Sequence, residues 1–147
     1  MQIYVDADAC PVKEEIYRVA KRYNLNVVLV ANSRMRTPPE NWIRLVIVQS
    51  NKLDEADDWI AENAGSDDIV ISSDIPLASR CLKNGAKVLG CNGREFTDDN
   101  IGGALASREL MSELRDSGIL SGGPAPFGKK ERSKFLQKLD EMINRKK

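Results

Sequence analysis

The chain has 147 residues, of which 41% are hydrophobic and 5% aromatic, and its 22 Lys and Arg balance its 22 Asp and Glu. This composition is typical of a compact globular protein, so we predict a single domain over residues 1–147. No apolar run approaches the roughly 18 residues needed to cross a bilayer. The first residues also lack the charged and apolar regions of a signal peptide. These features predict a cytoplasmic protein with no membrane partner.

The sequence contains no histidine, which excludes Ser-His-Asp and Cys-His catalysis and most zinc sites. Its three cysteines, Cys10, Cys81 and Cys91, are far apart and form no Cys-x-x-Cys pair. A disulfide framework is therefore not indicated, and we expect reduced thiols. The chemistry left to the chain uses carboxylates, Lys, Ser or Cys, and Mg²⁺ or Mn²⁺ bound by oxygen ligands is compatible with this composition.

Short β-branched runs alternate with longer stretches of helical period, the pattern of βαβ units with a parallel sheet covered on both faces. We therefore predict an α/β fold with three layers. In chain order the predicted elements are a strand Ile3–Val5, a helix from Pro11 to Asn24, strands Val27–Val30 and Leu45–Val48, a helix Leu53–Ala64, a strand Ile69–Ile71, a helix Leu77–Asn84, a strand Lys87–Leu89, and helices Ile101–Ser117 and Lys129–Lys147.

Two segments without a period are predicted as loops. Asn32–Pro39, after the second strand, contains two prolines and two arginines and should lie at the surface. Gly118–Gly128 is rich in glycine and proline, and its Gly122-Gly123-Pro124 is predicted as a turn. It is not predicted as a phosphate cradle, because no strand precedes it and its spacing matches no P-loop.

The last predicted helix is basic. Residues 129–147 carry eight Lys and Arg against three Asp and Glu, whereas residues 1–128 carry an excess of acids. One interpretation is a solvated amphipathic helix with an apolar face of Phe135, Leu136, Leu139 and Ile143. The other is a contact with the phosphate backbone of nucleic acid, because clustered Lys and Arg release counterions on binding.

Acidic residues recur where the predicted strands end. Asp6 and Asp8 follow the first strand, and Asp74 follows the fourth. In open α/β sheets, ligands bind beyond the carboxyl ends of the strands, beside the point where the strand order reverses. The helix before the fourth strand also begins with acids, and three of them share one face: Asp54, Asp57 and Asp58.

Most of these acids also have a structural explanation. Asp8 and Asp74 precede predicted helices, where a short acceptor side chain caps free N–H groups. Asp6 is different because an unpaired carboxylate at the end of a central strand is costly to bury. Several acids meeting at one edge would repel one another unless a cation neutralises them. The cluster of acids therefore predicts a divalent metal, Mg²⁺ or Mn²⁺, at this edge of the sheet.

Carboxylate-bound divalent ions activate water and stabilise both oxygens of an in-line displacement at phosphorus, as in nucleases and phosphatases. Nearby donors would then hold the phosphate. Arg34 and Arg36, on the loop after the second strand, belong to the same sheet edge by topology, and Ser72 and Ser73 offer hydroxyl groups. The predicted phosphate or nucleic-acid contacts are Asn32, Arg34, Arg36 and Ser73.

Five motifs, in this order, resemble the bacterial YaiI/YqxD family over almost the whole chain. They are Ile3-Tyr4-Val5-Asp6-Ala7-Asp8-Ala9-Cys10-Pro11-Val12, Val30-Ala31-Asn32 followed by Pro38-Pro39, Ala56-Asp57-Asp58-Trp59-Ile60, Asp68-Ile69-Val70-Ile71-Ser72-Ser73-Asp74-Ile75-Pro76-Leu77-Ala78, and Gly122-Gly123-Pro124. The chain departs from the family at Gly90-Cys91-Asn92-Gly93, where many relatives have Asn-Pro-Arg-Gly. Asn92-Gly93-Arg94, after the fifth strand, is a second candidate for phosphate contact, and this departure weakens that role.

The resemblance implies a PIN-like fold with a parallel sheet of order 3-2-1-4-5 and, in active members of that class, an acidic Mg²⁺ or Mn²⁺ site for RNA cleavage. By motif position, Asp6 would be the first-strand acid, Asp57 or Asp58 the helix acid and Asp74 the fourth-strand acid, with Asp8 as an extra ligand. A fourth acid has no clear match, and Asp98 and Asp99 stay open for that place.

These observations favour a metal-dependent phosphodiesterase acting on RNA or another nucleic acid, with Asp6, Asp57 and Asp74 as catalytic residues. One alternative is a phosphatase of the haloacid dehalogenase type, because Asp6-Ala7-Asp8 after a first strand also fits a nucleophile and acid pair. The other is a non-catalytic PIN-like module that binds RNA or a protein, since a fold does not fix a function.

Overall fold

The computed structural model describes residues 1–48, 55–106 and 128–145. The strands are β1 (Gln2–Asp6), β2 (Asn26–Ala31), β3 (Ile43–Ile47), β4 (Ile69–Ile71), β5 (Lys87–Leu89) and β6 (Glu95–Phe96). The helices are α1 (Lys13–Tyr23), α2 (Glu55–Asn63), α3 (Ile75–Lys83), α4 (residues 98–106) and α5 (Lys129–Arg145), and a 3-10 turn, Ala7–Ala9, follows β1.

The strands form one sheet of order β3-β2-β1-β4-β5-β6. β1 pairs in parallel with β2 on one side and with β4 on the other, so that Val5 lies opposite both Leu29 and Ile71. The predicted order of the first five strands is confirmed. β6 is an addition at the edge, antiparallel to β5, and its two residues are too few to show a period in the sequence.

The sheet is covered on both faces, which confirms the predicted three-layer α/β class. Alternate residues of β1 point to opposite faces. Ile3 and Val5 belong to a buried cluster that includes the apolar residues of α1 and α5. Tyr4 belongs to a second cluster, with residues of α2, α3 and α4. Within the described ranges, no helix is long and apolar enough to span a membrane.

Local signals define both ends of several helices. α1 ends at Asn24, which adopts a left-handed conformation with φ 57° and confirms the predicted stop. α3 begins at Ile75, two residues before its predicted start, because the Asp74 side chain caps it and Pro76 fits its first turn. Gly85 follows that helix with φ +87°, as expected for a glycine at a helix C-terminus.

Other boundaries shift or lie outside the described residues. β3 begins at Ile43 and ends at Ile47, whereas its predicted range was Leu45–Val48. α4 begins at residue 98, three residues before its predicted start. Asn32–Pro39 contains neither helix nor strand and exposes both arginines, which confirms the surface loop. Outside the described residues lie Leu53 and Asp54, the C-terminal part of the helix predicted over Ile101–Ser117, and the predicted loop except Gly128.

α5 packs against α1 and confirms the amphipathic interpretation of the last helix. Its buried residues are Phe135, Leu139, Met142 and Ile143, whereas Leu136 is only partly buried. Met142 was absent from the predicted apolar face.

Ion pairs flank the apolar contact between α1 and α5. Arg132 Nη1 lies 2.9 Å from Glu15 Oε1, and Arg22 Nη1 lies 2.9 Å from Asp140 Oδ2. Arg145 pairs with Glu95 at 3.1 Å. Two basic residues of the tail, Arg132 and Arg145, therefore attach α5 to the body of the protein.

Candidate functional site

Asp6 ends β1, a central strand that lies between β2 and β4. The connection after β1 leads to β2 on one side of the sheet, and the connection after β4 leads to β5 on the other. The carboxyl ends of β1 and β4 therefore form the switch point where α/β proteins bind ligands. The Ser72 hydroxyl donates a hydrogen bond to Asp6 Oδ2 at 3.2 Å. Ser72 is buried, and its oxygen also accepts the Asp74 backbone N–H at 3.0 Å. One hydroxyl group therefore connects the ends of β1 and β4.

The environment of Asp6 disfavours its charged form. Burial has the largest effect and raises the pKa of the Asp6 carboxyl group, the Ser72 hydrogen bond opposes this shift, and the charges of Asp74 and Asp8 add to it. The charges of Asp74 and Asp8 thus act on Asp6 through space. A cation beside Asp6 would compensate for both the burial and the like charges.

Asp74 has a structural role at the same edge. Its Oδ1 accepts the backbone N–H of Leu77 at 3.0 Å and so caps α3. A negative charge at this position also interacts favourably with the helix dipole. Capping accounts for one carboxylate oxygen, and it fixes the orientation of a side chain that lies near Asp6.

Asp8 is exposed on the 3-10 turn, and its Oδ2 accepts the backbone N–H of Asn32 at 2.8 Å. This hydrogen bond connects the turn after β1 to the residue that follows β2. Asp8 therefore stabilises the conformation of the candidate site, and it lies close enough to influence Asp6.

Asp57 and Asp58 have different neighbours. Asp58 Oδ1 lies 2.8 Å from Arg80 Nη1, in an exposed ion pair that connects α2 to α3. Asp57 acts electrostatically on Arg80 and Cys81 of α3. The structure therefore brings Asp6, Asp8 and Asp74 together and places the two acids of α2 beside Arg80. Asp98 and Asp99 are exposed in the first turn of α4.

In the part of the chain that the structure describes, no three His, Cys, Asp or Glu side chains are arranged as a metal-binding group. The described residues therefore do not form a cation site in which protein side chains supply all the ligands. Mg²⁺, however, commonly binds one or two carboxylates and takes its other ligands from water and substrate phosphate. Asp6 with Asp74, and the hydroxyl group of Ser72 between them, fit that second mode.

The predicted phosphate contacts lie at or after strand ends on the same edge of the sheet. Arg34 and Arg36 are exposed on the loop that follows β2, and Asn32 begins that loop. Ser73 is exposed after β4, and its hydroxyl oxygen accepts the backbone N–H of Cys91 at 3.2 Å. Contact between these groups and phosphate stays a prediction.

Sequence reasoning missed a group of three residues beside this site. Interaction with Cys91 raises the pKa of the Cys10 thiol, and the same interaction lowers the pKa of Cys91. Lys13 Nζ donates to the Cys10 carbonyl oxygen at 3.1 Å, and its charge favours both thiolates. Because Cys10 and Cys91 each follow a strand of one parallel sheet, topology was the available signal for their proximity.

The fold and this edge define a class: a three-layer α/β protein with carboxylates at the switch point of its sheet. Within that class the chain belongs to the YaiI/YqxD family, because the family described as "Uncharacterized BCR, YaiI/YqxD family" matches residues 4–145. The resemblance noted in the motifs is thereby confirmed.

Three relatives illustrate the similarity. A UPF0178 protein of Rhodospirillum centenum is 55% identical over 98% of this chain and 96% of its own length. The UPF0178 protein of Rhodospirillum rubrum is 52% identical over 97% of this chain and 95% of its own length. The UPF0178 protein of Brucella ovis is 55% identical over 97% of this chain and 89% of its own length. No solved structure matches the chain significantly.

Proposed function

We propose that this protein is a metal-dependent phosphodiesterase that cleaves RNA or another nucleic acid at the carboxyl edge of its sheet. The observation that carries the proposal is the position of Asp6. Its carboxyl group is partly buried at the switch point, beside two other carboxylates, with its pKa raised by burial and by their charges. A divalent cation is the ligand that such a group of acids favours electrostatically.

In this proposal Asp6 and Asp74 hold Mg²⁺ or Mn²⁺, Ser72 orients Asp6, and Asp8 supports the turn. The family resemblance adds Asp57 or Asp58 as the metal-site acid that a helix contributes. When bound, the metal would activate water and stabilise the oxygens of an in-line displacement. Phosphate groups of the substrate would meet Asn32, Arg34, Arg36 and Ser73 on the adjoining loops.

The test is Mn²⁺-dependent cleavage of a panel of end-labelled single-stranded and structured RNAs. Wild type is compared with Asp6→Asn, with Asp74→Asn and with Glu62→Gln, a control that removes an exposed acid from α2. We expect each Asn variant to lose activity by about 100-fold or more, because metal binding supplies several kcal/mol of charge stabilisation. The control variant should retain wild-type activity.

A second measurement follows metal binding without catalysis. Preferential binding of Mn²⁺ to the folded protein should raise the melting temperature of the wild type, and Asp6→Asn should abolish that shift. Equal shifts for wild type and Asp6→Asn would contradict a site at Asp6. A folded wild type that cleaves no RNA and shows no shift would favour the non-catalytic binding module.

Lys13 favours a second enzymatic candidate. Phosphatases of the haloacid dehalogenase type require a lysine near the Asp-x-Asp pair. Lys13 begins α1, five residues after Asp8, and its amine donates to the Cys10 carbonyl oxygen. A covalent aspartyl-phosphate trapped on Asp6 would identify this chemistry and would exclude the nuclease.

A further inference from the structure

The basic residues of α5 fall into two groups. Arg132 forms an ion pair with Glu15, and Lys138 and Arg145 both pair with Glu95. The others are exposed and have no ion pair among the residues that the structure describes; these unpaired lysines are Lys129, Lys130 and Lys134. The packing of α5 therefore uses the charges of the first group and leaves those of the unpaired lysines to solvent.

The first turns of α5 lie at the carboxyl edge of the sheet. Arg132 Nη1 donates to the carbonyl oxygen of Pro11, which follows β1, at 2.8 Å. The backbone of Lys134 approaches Gly93, in the turn after β5, so closely that a Cβ on Gly93 would lie 3.1 Å from the Lys134 carbonyl carbon. Both contacts place the unpaired lysines beside the edge that carries the candidate site.

The turn after β5 connects these lysines to the candidate site. The backbone N–H of Cys91, in that turn, donates to Ser73 Oγ at 3.2 Å. Ser73 adjoins Asp74 in sequence and is itself a predicted phosphate contact. Since Gly93 lies two residues after Cys91, one continuous surface leads from Asp74 through this turn to Lys134.

We propose that Lys129, Lys130 and Lys134 bind the phosphate backbone of the nucleic acid whose cleavage is proposed above. The inference rests on that proposed function. Lysines in the first turn of a helix interact unfavourably with its dipole, so Lys129 and Lys130 do not serve to stabilise α5. A polyanion compensates for this placement and releases counterions when it binds. Glu131, the acid of that turn, accepts the backbone N–H of Gly128 at 3.0 Å.

The position of the unpaired lysines also selects for the length of the substrate. Lys134 contacts the turn after β5, which is two strands away from Asp6 of β1. At the ordinary spacing of strands this separation is about 10 Å. A strand of several nucleotides can reach both places, whereas a dinucleotide bound at Asp6 cannot. The substrate class is therefore a polynucleotide, and the lysines should matter only for long substrates.

The experiment measures binding of a fluorescent single-stranded RNA of about 20 nucleotides by anisotropy, in EDTA so that no metal-dependent cleavage occurs. Wild type is compared with the triple variant Lys129→Gln, Lys130→Gln and Lys134→Gln. The matched control, Lys21→Gln, Lys83→Gln and Lys87→Gln, removes the same charge at the opposite, amino edge of the sheet. Melting curves confirm that each protein is folded.

We expect the triple variant to bind at least about tenfold more weakly than wild type at about 100 mM salt. The slope of log affinity against log salt should fall by about 2, because each phosphate contact on a single strand contributes about 0.7. The control should keep the slope of the wild type. Equal losses in the two triple variants, or a wild type that does not bind the RNA, would overturn the proposal.

Cleavage assays with Mn²⁺ separate this inference from the proposed function. The triple variant should have a raised KM for the long RNA and an unchanged rate with a dinucleotide, and Asp6→Asn should bind the long RNA at least as tightly as wild type. Binding through the lysines without any cleavage by wild type would reject the nuclease and leave the lysine surface standing. Cleavage that needs Asp6 but is indifferent to the three lysines would reject the surface alone.

Discussion

At the scale of single residues, the candidate site combines structural and chemical roles in the same side chains. Ser72 donates to Asp6 and accepts from Asp74, and Asp74 in turn caps α3. Asp8 connects the turn after β1 to Asn32. Because Asp8 and Asp74 also make hydrogen bonds that hold the fold, substitutions must separate loss of folding from loss of function.

Asp74 allows that separation. Asp74→Ala removes the cap of α3 and should lower the free energy of unfolding by about 1 kcal/mol. Asp74→Asn keeps a good capping acceptor and should cost only a few tenths of a kcal/mol. Both variants should lose metal-dependent cleavage, since neither retains the negative charge. Urea denaturation measures the first effect and RNA cleavage the second; equal stability of Asp74→Ala and wild type would contradict the capping role.

Tyr17 predicts a dependence of stability on alkaline pH. Burial, followed by the charges of Glu14 and Cys10, raises the pKa of Tyr17 to about 12. In the unfolded chain tyrosine ionises near its ordinary pKa of about 10, so the contribution of Tyr17 to stability is complete below pH 10 and is lost as pH rises toward 12.

The effect is isolated by comparing the free energies of unfolding of wild type and Tyr17→Phe. The difference between the two proteins at pH 8 is the reference. Between pH 8 and pH 11, wild type should lose about 1 kcal/mol more unfolding free energy than Tyr17→Phe. Urea denaturation at each pH measures it. Parallel pH curves for the two proteins would show that Tyr17 titrates alike in the folded and unfolded chains.

At the scale of elements, the sequence was informative wherever a strong local signal existed. The runs of β-branched residues located five strands, and Asn24 and Gly85 marked the ends of two helices. β6 has only two residues and gives no period. Asp74 was predicted as a possible cap, but the start of α3 was placed two residues late at Leu77, because apolar periodicity does not define the exact end of a helix.

The site was predictable to the extent that topology determines it. Asp6 ends β1, and Asp74 follows β4, the parallel neighbour of β1, so their proximity follows from the strand order. Asp58 depends on how α2 and α3 pack, and its ion pair with Arg80 carried no sequence signal. The proximity of Cys10 and Cys91 was open to the argument from topology, because each residue follows a strand of the sheet, although spacing along the chain does not reveal it.

Gly93 illustrates how a turn positions two elements. It adopts φ +87°, and a Cβ atom there would lie 3.1 Å from the Lys134 carbonyl carbon and the Phe135 nitrogen of α5. Gly93→Ala should therefore destabilise the protein by about 2 kcal/mol or more, since left-handed strain and a backbone clash add. Gly102 lies within α4, where nothing occupies the space that its Cβ would take.

Gly102→Ala is thus the matched control and should stabilise the protein by roughly 0.5–1 kcal/mol through helix propensity. Thermal and urea denaturation measure the change in stability of each variant, which should be a loss for Gly93→Ala and a gain for Gly102→Ala. A neutral Gly93→Ala would mean that α5 does not approach the turn after β5 as closely as the structure has it.

At the scale of the whole molecule, α5 completes one face of the core. Leu139 is fully buried against α1, whereas Gln137, two residues away on the same helix, is exposed. Leu139→Ala should lower the free energy of unfolding by roughly 2–5 kcal/mol, because it removes buried apolar surface and leaves a cavity. Gln137→Ala should change it by less than about 0.5 kcal/mol. Similar losses for both variants in urea denaturation would contradict the packing of this face.

The pairing of α1 with α5 also affects how the chain reaches its fold during synthesis. Contacts such as Arg132 with Glu15 and Arg22 with Asp140 join residues 117 and 118 positions apart. On the ribosome, the apolar stripe of α1 emerges early and has no covering helix until residues 129–145 have been translated. Closing so long a loop is slow relative to local helix formation. The nascent chain is therefore an expected client for chaperones until its last helix is released.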